Sequence, residues 1–225
     1  MERRAFLKSL GVAPAVAAVP LKPIENPAAP GPAYFTSDET AFVDAAVSRL
    51  IPNDELGPGA KEAGVTHFID RQLGGPYGRG QTWYMQGPWR EGTQQQGYQL
   101  KITPAELYRA AIADVNDYCS KSFGGKRFAD LDGATQDKVL QGLEKGDVKL
   151  ARVPARQFFD MLWQNTQSGF LADPMYGGNR DFAGWKLIGF PGPRYNYVAE
   201  IGQHGKPYGM PTVGIMGRDA SRGAA

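Results

Sequence analysis

Few side chains in this chain have types that could do chemistry. There is one cysteine, Cys119, and there are two histidines, His67 and His204, far apart in sequence. An iron–sulfur cluster needs several thiolates and a c-type haem needs C-x-x-C-H, so neither can be built. No H-E-x-x-H, H-x-H or cysteine–histidine spacing points to zinc. The glycine cluster Gly74-Gly75-Pro76-Tyr77-Gly78-Arg79-Gly80 lacks the G-x-G-x-x-G spacing and has no Lys-Ser/Thr for a phosphate loop. A G-x-S-x-G nucleophile elbow is absent. Asp173 and Asp181 are carboxylates in one loop, but eight residues of loop set no distance, so no acid/base pairing follows. No catalytic, cofactor-binding or metal-binding residue is assigned.

Large rings outside regular structure are the more prominent feature. Gly169 to Gly192 holds six glycines, two prolines and five aromatics, a composition that suits neither an ordinary helix nor a strand. Gly177-Gly178-Asn179 is a turn signal. Tyr176, Phe182, Trp185 and Phe190 make the stretch too apolar for a solvated linker. It is expected to be ordered, either plugging its own core, docking another chain or, less in keeping with its acids, catalysing. Gly74 to Leu100 is a second long irregular segment, with Trp83, Tyr84, Trp89 and Tyr98. Aromatics are enriched in interface cores, so the pair of loops suggests a shared partner interface through Trp83, Trp89, Asp173, Tyr176, Asn179, Trp185 and Phe190. The same rings could stack on a sugar.

The elements that must position these loops read as helices. Thr36 and Glu39 form a capping box ahead of Phe42, Ala46, Val47, Leu50 and Ile51, and Pro52 closes that helix. A second helix is expected over 60–73, with His67 beside its apolar stripe. Thr103-Pro104-Ala105-Glu106 is a strong helix start, and Cys119 falls on the apolar face of that helix. A core position accounts for it, and an inter-chain bridge is the alternative for an unpaired thiol in an exported protein. Helices follow over 132–146 and from Pro154, the last stopped by Gly169. No segment alternates like paired strands. The fold class is mainly α: a single helical domain of about five helices over 36–225, with long ordered Gly-, Pro- and aromatic-rich loops and an irregular C-terminal tail.

Residues 1–20 read as an export signal rather than structure. Arg3, Arg4, Phe6, Leu7 and Lys8 match the twin-arginine (Tat) core, with Glu2 where Ser or Thr is usual. A short apolar segment with small residues follows, too short to span a bilayer. A Pro/Ala-rich linker is expected over 21–35. The formal net charge of +2 equals the contribution of Glu2, Arg3, Arg4 and Lys8, so the body is close to neutral, and no basic stripe points to nucleic acid. The twin-arginine route moves folded proteins. A folded-export signal on a chain without a recognisable cofactor site suggests a partner that holds the cofactor.

These residues resemble one family. The run from Phe42 to Asp54, Gly87 to Leu100, Thr103 to Ile112, and above all ADPMYGGNRDFAGWKLIGFPG (Ala172 to Gly192), is similar to gluconate 2-dehydrogenase subunit 3. The resemblance covers nearly all of the chain after the leader. It implies the small subunit of a membrane-associated dehydrogenase acting on sugars or sugar acids in the periplasm. The large subunit holds FAD and performs the hydride chemistry, and a cytochrome c subunit, where present, passes electrons on. No catalytic residue carries over to this chain. A free-standing periplasmic sugar-binding protein is the alternative reading.

Overall fold

The computed structural model describes residues 34–90, 92–206 and 208–217. Among them are six α-helices and no strand. They are α1 (Ser37–Leu50), α2 (Val65–Gly74), α3 (Pro104–Ser122), α4 (Gly133–Lys145), α5 (Ala155–Leu171) and α6 (Ala183–Ile188). The starts follow from side-chain caps that satisfy the free amides of the first turn. Thr36 with Glu39 and Thr103 with Glu106 form reciprocal capping boxes. Asp132 accepts from the Thr135 amide at 3.0 Å ahead of α4. The ends are equally local. Ile51 is extended (φ −130°) before Pro52, and Gly146 closes α4 with φ 76°.

Helix α5 is the centre of the body and packs against every other helix, most extensively α4 and α2. Its apolar face delivers Phe158 and Leu162, both fully buried. Phe158 meets the ring of Phe42 from α1 at 6.3 Å and that of Tyr108 from α3 at 5.5 Å, edge to face for Tyr108. Phe128, from the turn after α3, lies 4.7 Å from Phe42. Such ring pairs add to what their buried area contributes. Between α3 and α5, the buried Asp114 accepts from the Arg152 amide at 2.8 Å and its guanidinium at 2.7 Å.

Three sequence expectations change. The second helix starts at Val65, not 60, because Gly64 sits in the left-handed region (φ 78°) and breaks the preceding turns from a regular helix. Gly169 does not stop α5, which runs on to Leu171. It is a contact glycine: a Cβ there would stand 2.7 Å from the Phe68 ring of α2. The 169–192 stretch is not wholly irregular, since it contains 3-10 turns at Pro174–Tyr176 and Arg180–Phe182 and the two-turn α6. Ordered contacts are also made by Tyr34 and Phe35, ahead of the first helix cap. Asp70 accepts the amides of Tyr34 and Phe35, each at 2.7 Å, and Phe35 is buried. Arg109 donates to the Tyr34 carbonyl at 2.8 Å with its guanidinium over the ring, and the Tyr34 hydroxyl donates to the Ala105 carbonyl. Arg3, Arg4, Phe6, Leu7 and Lys8 lie outside the described residues. No helix among those described is long and apolar enough to cross a membrane.

Candidate partner-docking site

The Ala172–Gly192 motif is built to hold its own shape. Asp173 accepts from the Met175 amide at 3.0 Å through one oxygen and from the Ile215 amide at 2.7 Å through the other. One carboxylate therefore caps the first 3-10 turn and ties down the tail 42 residues later. Asn179 is fully buried, donates to the Ala172 carbonyl at 2.8 Å and accepts from the Gly184 amide at 2.8 Å. Asn179, Asp181 and Phe182 all have positive φ, at 49°, 56° and 59°. A bulky ring there is costly and persists only where surrounding contacts over-determine it. The glycines allow close backbone approach. A Cβ on Gly178 would lie 2.2 Å from the Gly169 carbonyl oxygen, and one on Gly184 2.0 Å from that of Phe170.

Trp185 is the hub of this loop and is buried. Its Nε1 donates to the Leu171 carbonyl at 2.7 Å. Phe182 stacks on it at 5.5 Å and Phe190 meets it edge-on at 4.9 Å. The tail then folds back. The Val213 amide donates to Pro191, and Arg194 donates to the Pro191 and Pro211 carbonyls. Tyr197 donates to the Gly192 carbonyl at 2.8 Å. What this scaffold leaves outside is apolar. Of fifteen exposed large apolar side chains among the described residues, twelve fall between Leu171 and Met216, so exposure is concentrated on about one fifth of the chain. Ile188, Tyr195, Val198, Ile201, Met210 and Ile215 are the most open of that segment after α6 begins.

The second loop, residues 75–102, forms an arm standing off α5. Its base is tied down: Tyr77, Trp83 and Tyr98 form a ring chain at 5.7 and 4.9 Å, and Tyr98 donates to the Ile102 carbonyl at 2.7 Å. The Tyr77 hydroxyl donates to Asn165 Oδ1 at 3.1 Å, and Asn165 Nδ2 donates to the Tyr108 hydroxyl at 3.0 Å. Burial raises the pKa of the Tyr77, Tyr98 and Tyr108 hydroxyls, keeping them protonated. Beyond this base the arm is mostly exposed, including Tyr84 and Trp89. Between arm and α5 lies an open groove of about 1530 Å³, with Arg156, Gln157, Asp160 and Gln164 on the helix side.

The seven candidate interface residues therefore separate. Asp173, Asn179 and Trp185 are buried and spend their polar atoms inside the chain. Trp83 is half-buried at the arm base, whereas Trp89, Tyr176 and Phe190 stay exposed. Asp181 is exposed while Asp173 is buried and fully bonded, so the two carboxylates do not work as a pair. Cys119 is fully buried and burial pushes its thiol up to about 11, the geometry of a core residue. The sequence reading missed the polar face of α5. Its signal was present in Gln157, Asp160, Gln164, Asn165 and Ser168, spaced three and four apart beside the apolar stripe.

The described residues form a helical body without strands, carrying ordered aromatic loops and an exposed apolar tail. The model of the family described as Gluconate 2-dehydrogenase subunit 3 matches residues 37–192, and the chain belongs to that family. The matched region ends at the close of the motif, ahead of the tail. No curated protein and no solved structure matches the chain.

Proposed function

We propose that this chain is the non-catalytic small subunit of a FAD-dependent, gluconate 2-dehydrogenase-like complex. It binds and stabilises the flavoprotein large subunit and carries it, already folded, across the cytoplasmic membrane by the twin-arginine route. The complex then works in the periplasm at the membrane, with a cytochrome c subunit as electron acceptor where one is present. The carrying observation is the concentration of exposed apolar side chains between Leu171 and Met216. Monomeric soluble proteins rarely leave large contiguous apolar surface open, and such surface marks a partner. Family membership supports a dehydrogenase subunit as the partner, and the twin-arginine pattern of the leader supports the direction of travel.

Deleting the chain tests this directly. The expected outcome is a large subunit that stays in the cytoplasm or is degraded, with periplasmic dye-linked sugar or sugar-acid oxidation lost. Undiminished periplasmic activity after deletion would sink the escort role. A lone purified chain that turned over a sugar acid with an electron-accepting dye would sink the non-catalytic one.

A further inference from the structure

The groove between the arm and α5 is separate in sequence from the apolar tail and has different chemistry. At about 1530 Å³ and open along one side, it exceeds the roughly 300–1,000 Å³ of enclosed small-molecule sites. Its wall on α5 is polar, with Gln157, Asp160, Gln164 and Ser168 among the lining residues. Primary amides match the donor and acceptor of a peptide backbone. On this wall the Gln164 side chain is exposed. The rim carries the exposed rings of Tyr84 and Trp89, which supply contact area at low entropic cost. Among the described lining residues, the cations Arg90, Lys101 and Arg156 face a single carboxylate, Asp160.

We propose that this groove is a second docking site, taking an extended, acidic segment of the partner polypeptide between the arm and α5. The inference rests on the reading of the chain as a subunit, and it adds where and how part of the partner is held. Backbone groups of the segment pair with the Gln164 amide, its acids meet Arg90, Lys101 and Arg156, and Tyr84 and Trp89 cover it from the arm. The charge excess selects an acidic segment, since like charges across an interface are repelled.

The experiment places the photo-cross-linker p-benzoylphenylalanine at Trp89, Gln164 or Tyr195, one position per variant, in the full chain expressed with its native complex. Cross-linked peptides are then mapped by mass spectrometry. Cross-links from positions 89 and 164 to one acidic, extended stretch of the co-purifying flavoprotein are the expected result. Cross-links from 195 alone overturn the groove proposal and leave the subunit reading intact. No cross-link from any position, with no flavoprotein co-purifying, overturns both. In parallel, the double variant Lys101→Glu, Arg156→Glu should lower complex recovery about tenfold or more while the free chain keeps its circular dichroism. Recovery equal to wild type from a folded double variant counts against the proposal. If millimolar glucose or gluconate shifts the tryptophan fluorescence of the isolated chain, and Trp89→Phe abolishes the shift, the groove is a saccharide site and the proposal is wrong.

Discussion

At the scale of single residues, the side chains that stand out in the sequence mostly serve the fold. Asn179 joins two backbone groups across a left-handed turn. Truncating it leaves the Gly184 amide and the Ala172 carbonyl unsatisfied in a buried place. Asn179→Ala is therefore expected to cost about 2–4 kcal/mol, read by denaturant unfolding, whereas Tyr176→Ala on the exposed side should cost little. Cys119 makes a chemical prediction. A thiol that is buried and raised to about 11 is neither accessible nor a thiolate near neutrality. Iodoacetamide should leave the folded chain unlabelled and modify it in denaturant, and reductant should not change the size of the complex on a gel. His67 sets a pH dependence. Burial lowers its pKa below the ordinary 6.5, helped by Arg71 and Arg180 and opposed by Asp70. Below pH 6.5 the unfolded chain binds more protons at this site, so stability falls with pH from about 6.5 down to the lowered folded value and then levels. Melting curves between pH 7 and 5 should show that fall, and His67→Gln should flatten it.

At the scale of elements, legibility tracked how local the cause was. The starts of α1, α3 and α4 were readable because a capping side chain and its amide partner are three residues apart. The end of α1 was readable because Pro52 restricts its neighbour. What was not readable depended on distant contacts. Gly169 looks like a terminator until Phe68 of α2 is seen against it. Gly64 looks like part of a helix until its left-handed conformation is known. Both misreadings come from glycine, whose role is decided by what approaches it. Gly169→Ala gives a sharp check. Within a free helix, alanine would be the better residue by about 1 kcal/mol. Here the added methyl meets the Phe68 ring, and the change should destabilise by about 1–3 kcal/mol in thermal or urea unfolding. The double variant Gly169→Ala, Phe68→Leu should recover part of that loss.

At the scale of the whole molecule, the helical class and family were legible, and the division of labour inside the loops was not. The sequence shows that Trp185 and Tyr176 are both large rings in one motif. It does not show that the first is inside and the second outside, because that depends on a carbonyl at Leu171 and on rings at Phe182 and Phe190. The groove was hidden for the same reason, since one wall comes from α5 and the other from a segment more than fifty residues earlier. The exposed tail gives the prediction proper to this scale. Tyr195→Asp with Ile201→Asp places charge on two open side chains that support little else in the body. The melting temperature of the free chain should stay within about 2 °C of wild type, while recovery of the flavoprotein in a pull-down should collapse. Unchanged recovery would mean that this face is not where the partner sits.

The clamp at Tyr34 has a practical corollary. Asp70 and Arg109 hold the backbone of Tyr34 and Phe35, and the Ala105 carbonyl holds the Tyr34 hydroxyl. Asp70 lies on α2 and Arg109 and Ala105 on α3, so the two residues ahead of α1 are stapled to two other helices, and α1 cannot lift away from the bundle at that end without breaking all of these bonds.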